Sequence, residues 1–455
     1  MTEIAVILVI LLTCIFLGAP VMAAIGFTAV SVMLIFMEPR FLNQFANVAH
    51  VQATSMNLLV APLFILMSEF LARGGIAEDI FSVLGSSLRK FKGGLAIATT
   101  LACTIFASLC GSSPATAASI GRITIQQMTA RGYRKDFAVG TVAGGGTLGI
   151  MIPPSLTLVT YGILTETSIA RLLIAGLIPG ILMSILMCVA TIARVRMSPA
   201  LIGELSPEAL ESGKYDKDAY SVDLRAQKFA DEQKENAGEK DSGGFLRMLP
   251  SLLLIVVVLG SLYTGLATPT ESAGIGAVGA FCIVLFSGRL NKGMFVEAMK
   301  ATARTSTMIM FLVIAGFGMS FVLSYIGAAS GIANAILGSG MGRWTIMIMI
   351  FILWYILGAL MDPGSMVILT VPFFFTTLMR LGFDPIWLGV VSTLCVQVGM
   401  ITPPVGLNLF VLRGATDIEM KHIIMGSVPY VFILTAGLVI LVMFPVLSLW
   451  LPSLM

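Results

Sequence analysis

The stretch Met400–Asn408 reads MITPPVGLN. It lies inside a run from Ile386 to Leu412 that contains no Asp, Glu, Lys or Arg. Such a run exceeds the ~20 apolar residues needed to cross a bilayer. Adjacent prolines remove two backbone donors and disfavour continuing a helix. The apolar segment is therefore broken in its interior. GIMIPPSLT, Gly149–Thr157, breaks a second uncharged run, Phe137 to Leu164, in the same way.

The surrounding composition is that of an integral membrane protein embedded in a lipid bilayer. Of 455 residues, 57% are hydrophobic and 11% charged, with mean hydropathy +0.98; soluble domains carry roughly 25% charged residues. The net charge of +3 and the lack of a basic aromatic patch give no sign of nucleic acid as a partner. The N-terminus, MTEIAVILVILLTCIFLGAP, lacks the positive region of a cleaved signal and reads as a first membrane helix. Cys14, Cys103, Cys110, Cys188, Cys282 and Cys395 all sit in apolar segments without a CxxC pair. They read as small buried hydrophobes, which argues against disulfides or a cysteine metal site. His50 and His422 lie near segment ends and read as surface groups.

One segment departs from this background. Pro199–Arg247 holds 11 acidic and seven basic residues and reads as a solvated insert, partly helical or disordered. The apolar halves on either side of it repeat. GIAEDIF at Gly75 is echoed by GIANAIL at Gly331, and RGYRKDFAVG at Arg131 by LGFDPIWLGV at Leu381. GIMIPPS falls on GMITPPV at an offset of 250, which also places LCGSSPAT, Leu109–Thr116, on ALMDPGSM, Ala359–Met366. Duplicated halves with interrupted hydrophobic segments point to a secondary transporter.

Each polar island sits in the middle of an apolar run. The apolar arms beside the first island, Gly94–Leu109 and the shorter Ala115–Gln126, do not comfortably span ~30 Å at 1.5 Å per residue. The expectation is an all-α polytopic membrane protein with two re-entrant hairpins, 94–130 and 344–379, with tips at Cys110–Pro114 and Met361–Ser365. Two broken helices follow them, at 138–162 and 386–412. The parts are N-terminal scaffold helices (1–74), a first repeat (75–196), the polar insert (197–247), further scaffold helices and an arm (248–306), and a second repeat (307–455). Single helices are expected near 58–71, 172–195, 249–266, 270–287, 307–326 and 424–449. Placing Arg89, Lys90, Lys92, Arg131, Arg134 and Lys135 inside puts 23 of 27 basic residues in the cytoplasm, the insert included. The repeats are then inverted.

Breaking a helix exposes carbonyls that hold a cation and N–H groups that attract an anion. Ser112, Ser113, Thr116 and Thr402 add hydroxyls near the breaks and tips. Asp362 is the only acidic residue between Glu297 and Asp384, and it sits at the second tip. A charge at that depth is costly and functional by default; it caps N–H groups, balances a cation or takes up a proton. Glu271 follows Thr268 in a capping-box pattern. No Walker A loop, Ser/His pair or HExxH is present, so the chain does not read as an enzyme or a direct user of ATP.

SSPATAASIG, GTLGIMIPPS, LATPTESA, MDPGSM and VGMITPPVGLNLFV together resemble the large membrane subunit, DctM type, of the tripartite ATP-independent periplasmic (TRAP) transporters. The resemblance runs over nearly the whole chain. It implies an elevator-type ion-transporter fold in the bacterial inner membrane, with no cofactor and with Na⁺ as coupling ion. It further implies import of an organic anion, usually a carboxylate, delivered by a periplasmic binding protein, with a small four-helix membrane subunit as second partner. The family's ion sites fall here on Cys110, Ser113, Gly149, Ile152 and Pro154, and on Leu360, Pro363, Gly399, Thr402 and Pro404. The family often has Ser where this chain has Cys110; a backbone ligand survives that change and a hydroxyl ligand does not. Ser112, Ser113, Thr116, Ser155, Asp362 and Asn408 are the residues expected to face the substrate cavity. Three rival readings are a stand-alone anion/Na⁺ symporter of the related fold, a membrane enzyme using Asp362, and a non-transporting assembly subunit.

Overall fold

The computed structural model describes residues 2–38, 40–204, 219, 245–338 and 340–455. Most of the polar insert, 205–218 and 220–244, lies outside the described residues. The described residues form helices and no strands, as their long apolar runs dictate. Among the described residues, seven helices are long and apolar enough to cross a membrane, and several shorter apolar helices accompany them.

The first hairpin is Gly94–Cys110 and Ser113–Ala130, and the second is Arg343–Leu360 and Pro363–Arg380. Their arms are 17 or 18 residues long. The first hairpin has the expected bounds, 94–130; its second arm runs past the apolar stretch Ala115–Gln126 because Gln127 to Ala130 continue the helix. The broken helices are Lys135–Thr147 with Leu156–Thr165, and Pro385–Gly399 with Leu407–Ala415. The bounds of these elements keep the offset of 250 to within two residues.

Two further differences from expectation concern the flanks. An unexpected helix, Phe41–Ala53, with no fully buried residue, connects the N-terminal pair Thr2–Phe16 and Val21–Phe36 to Val60–Arg73. The helix expected at 307–326 instead runs from Lys292 to Tyr325, 34 residues. Lys292, Glu297, Lys300 and Arg304 are good helix formers, so the charged stretch does not end it. The capping box at Thr268 and Glu271 forms as expected, with Glu271 accepting from Thr268 N at 2.8 Å. Arg289 clamps Asp79 through two hydrogen bonds, of 2.6 and 2.9 Å, which raises its guanidinium above the ordinary value.

The packing is reciprocal. Lys135–Thr147 packs on Met420–Met443, with backbones touching at Gly140 and Gly426. Its counterpart Pro385–Gly399 packs on Ile169–Ala175. The second arm of each hairpin lies against the last part of the other repeat's broken helix: Ser113–Ala130 on Leu407–Ala415, and Pro363–Arg380 on Leu156–Thr165. Contacts exchanged in pairs in this way define a pseudo-two-fold relation. Small residues at the crossings let the helices approach where lipid supplies no hydrophobic drive.

The two hairpins open at chemically different ends. Near the first, Lys92 pairs with Glu204 at 2.9 Å and Arg134 N bonds Leu201 O. Near the second, Trp344, Phe383 and Trp387 cluster with Arg343, an arrangement typical of a membrane–water interface.

Candidate functional site

Both tips are two-residue links, and each lies against the break of its own repeat. At the first, Gly111 has φ +65°, and a Cβ there would sit 2.4 Å from Pro154 O. Leu156 N donates to Gly111 O at 3.3 Å. A Cβ on Gly149 would lie 2.6 Å from Ser112 O and 2.7 Å from Thr116 Oγ1. Only glycine allows both approaches. At the second, Gly406 N donates to Ala359 O at 2.8 Å, and Gly399 lies against Tyr355 and Gly358. Thr402 Oγ1 donates to Val398 O at 2.8 Å and shares a 3.0 Å hydrogen bond with Tyr355 Oη.

Of the residues expected at the ion sites, Gly149 and Pro154 thus touch the first tip, and Gly399 lies against the end of the first arm of the second hairpin; Cys110, Ser113, Leu360 and Pro363 flank the tips, and Ile152, Thr402 and Pro404 lie in the breaks. Among the described residues no hydrogen bond reaches the carbonyls of Ile152, Pro153, Pro154, Thr402, Pro403 or Pro404. Backbone oxygens freed in this way are hard, neutral donors of the kind that suits a small cation. The X-Pro bonds Pro153–Pro154 and Pro403–Pro404 are both cis. The first break is buried, whereas Pro403 and Pro404 are exposed.

A cavity of about 210 Å³ lies between the two tips and the long helix Lys292–Tyr325. Ser112 and Asp362 line it, as do Pro363 and three hydroxyl residues the sequence did not single out, Thr157, Thr160 and Thr305. The spacing of Thr157 and Thr160 just after the Pro-Pro break was the available signal, since i and i+3 share a helix face. First-turn residues of four helices meet there: Pro114, Leu156, Pro363 and Leu407. The helices starting at Ser113 and Leu407 have no side-chain cap. Asp362 is half-buried and caps the helix beginning at Pro363; its Oδ1 accepts from Ser365 N at 3.0 Å and its other oxygen from Ser365 Oγ.

The remaining residues expected at the cavity lie behind it. Ser155 is fully buried; its Oγ donates to Ile150 O and accepts from Leu158 N at 3.2 Å, so it caps Leu156–Thr165. Thr116 Oγ1 donates to Ser112 O at 2.9 Å and lies beside Gly149. Asn408 is fully buried and donates from Nδ2 to Ser113 Oγ at 2.7 Å. A larger cleft of about 770 Å³ sits elsewhere, where Lys135, Arg413 and Lys421 alternate with Asp417 and Glu419. Its mixed charge and its distance along the helices from the tips set it apart from the cavity.

Residues 8–447 match the family described as Tripartite ATP-independent periplasmic transporter, DctM component. The chain belongs to the DctM family. It is 34% identical over 399 residues to the C4-dicarboxylate TRAP transporter large permease protein DctM of Pseudomonas aeruginosa, covering 87% of this chain and 86% of that one. It is 28% identical to the Isethionate TRAP transporter permease protein DctMQ of Oleidesulfovibrio alaskensis, covering 95% of this chain and 64% of that one. The fold is similar to the Alcanivorax borkumensis YdaH transporter, whose crystal structure was described as having an unusual topology: TM-score 0.54, 17% identity, 91% and 89% of the two chains. This DctM-family chain is a large permease subunit of a TRAP transporter, a multi-pass inner-membrane protein and not an enzyme.

Proposed function

We propose that this permease subunit imports an organic anion with Na⁺ as the coupling ion, and that the anion occupies the cavity between the two hairpin tips. The observation that carries the reading is the meeting of four helix N-termini around that cavity. An uncapped helix start contributes roughly half a positive charge; the starts at Ser113 and Leu407 have no side-chain cap and leave the N–H groups of Ser113, Ala115 and Leu407 for an anionic group, whereas Ser155 and Asp362 cap the other two. The carbonyls left without partners at the two breaks hold Na⁺ on the far side of each tip, so cations and anion share one block of protein.

The cavity is walled on one side by the hairpins and broken helices and on the other by the long helix. An elevator movement of the first against the second carries ions and substrate together. The basic end of the molecule faces the cytoplasm. Partners are a small four-helix membrane subunit and a periplasmic binding protein. The name DctMQ borne by the isethionate relative fits a large and a small membrane component joined in one chain. The relatives are named for C4-dicarboxylates, isethionate, sialic acid and ectoine, and the 34% identical relative makes C4-dicarboxylates the first candidates.

The test is uptake of labelled C4-dicarboxylates by proteoliposomes holding both membrane subunits, with and without the binding protein, in Na⁺ or K⁺. Na⁺-dependent uptake that needs the binding protein is expected. Equal uptake in K⁺ overturns the coupling, and uptake by this chain alone favours a stand-alone symporter. In intact cells, a cysteine at Lys90 is expected to resist a membrane-impermeant thiol reagent; strong labelling reverses the orientation.

A further inference from the structure

We propose that Asn408, a residue of the second repeat, supplies a side-chain oxygen to the cation held at the tip of the first hairpin. The proposal rests on the reading of the breaks as Na⁺ sites. Asn408 is fully buried and fixed on three sides: its backbone N donates to Met400 O at 3.1 Å, its Nδ2 donates to Ser113 Oγ at 2.7 Å, and its helix lies against the second arm of the first hairpin. Its Oδ1 is buried and has no hydrogen-bond partner among the described residues. An orphaned buried acceptor is expensive, so an occupant that it can bind is stabilised there. Beside Ser113, the occupant that the chemistry favours is a cation, because an amide oxygen is a hard neutral ligand like a peptide carbonyl.

The difference between the repeats says why the first site needs such a ligand. At the second break Thr402 presents a hydroxyl, held by Tyr355 at 3.0 Å. The counterparts 250 residues earlier are Ile152 and Ile105, which have no side-chain oxygen. Conversely, the counterparts of Asn408 and Ser113 are Leu158 and Pro363, so this polar tie exists at the first hairpin alone. The two breaks are therefore supplemented differently, by Thr402 from its own repeat at the second and by Asn408 from the opposite repeat at the first. A cation at the first tip then pulls on the helix that begins at Leu407, which lines the substrate cavity. Ion binding in one repeat orders the cavity wall contributed by the other.

The experiment measures thermal unfolding of the purified complex of both membrane subunits against Na⁺ concentration, at constant ionic strength made up with K⁺. The variants are Asn408→Leu, which installs the residue found at the counterpart position, and Asn408→Asp, which keeps the oxygen and removes the donor. Wild type is expected to gain stability from Na⁺ over K⁺. Asn408→Leu should raise the Na⁺ midpoint by about tenfold or more, while Asn408→Asp should keep a Na⁺ response. A wild-type midpoint in Asn408→Leu overturns the proposal. So does a Na⁺ response lost as fully in Asn408→Asp, because the hydrogen bond to Ser113 would then be what matters. Wild type that does not distinguish Na⁺ from K⁺ removes the Na⁺ reading itself, an outcome separate from either of those.

Discussion

Gln397 donates a 2.9 Å hydrogen bond from Nε2 to Thr147 Oγ1, and the two residues are each other's counterparts, 250 positions apart. A residue touches its own counterpart only on the pseudo-two-fold axis. Both are fully buried, and each lies two residues before the glycine that opens its break, Gly149 or Gly399. The pair joins the two broken helices where they cross. Thr147 Oγ1 donates onward to Gly144 O at 2.6 Å, so it can only accept from the amide, and Gln397 Oε1 is left without a partner among the described residues.

This arrangement predicts unequal effects of two near-isosteric changes. Thr147→Val strands the Gln397 amide and should cost about 1–3 kcal/mol. Gln397→Leu also removes an orphaned oxygen and should cost less. Adding Gln397→Leu to Thr147→Val should recover part of the loss. Denaturation of the purified membrane complex, read as a double-mutant cycle, checks it; additive losses would show that the two side chains do not interact.

Thr402 offers a second test. Its hydroxyl sits at the second break and bonds Tyr355. Thr402→Val should raise the Na⁺ concentration for half-maximal uptake by about 5- to 30-fold, the equivalent of a lost ligand at ~1–2 kcal/mol. Tyr355→Phe, which only loosens the hydroxyl, should shift it less. Unchanged Na⁺ dependence in Thr402→Val would remove this residue from the proposed ion site.

Asp362 both caps a helix and faces the cavity. Asn caps about as well as Asp, so Asp362→Asn should leave unfolding within about 0.5 kcal/mol of wild type. Transport should nevertheless fall sharply if the charge acts on ion or substrate. Uptake in proteoliposomes at matched protein levels decides, and normal uptake would make the residue a cap alone.

Gly149→Ala should be among the most damaging small substitutions. The added methyl would lie 2.6 Å from Ser112 O, so tip and break must part. Overpacking of this kind costs about 1–3 kcal/mol, and the Na⁺ response should disappear with it. A variant that keeps both wild-type stability and Na⁺-dependent uptake would show that this approach is not needed.

The hairpins, the breaks and the offset between the repeats were legible in the sequence because each is a local matter. Proline and glycine act on their own backbone, and an apolar run needs no partner to declare that it belongs in lipid. The length of the helix Lys292–Tyr325 was not legible, since its charged first turns break the apolar pattern without breaking the helix. Motifs alone pointed to the family. They also placed Asn408 and Ser155 near the cavity, whereas packing put both behind its wall and brought Thr157, Thr160 and Thr305 to its surface. Which way a side chain points depends on how its helix crosses its neighbours, and those crossings join residues hundreds of positions apart. Repetition in the sequence paired Thr147 with Gln397 as counterparts, but only the tertiary structure made them neighbours, because Lys135–Thr147 packs on Leu407–Ala415 and Pro385–Gly399 on Leu156–Thr165, so that the two broken helices cross on one axis.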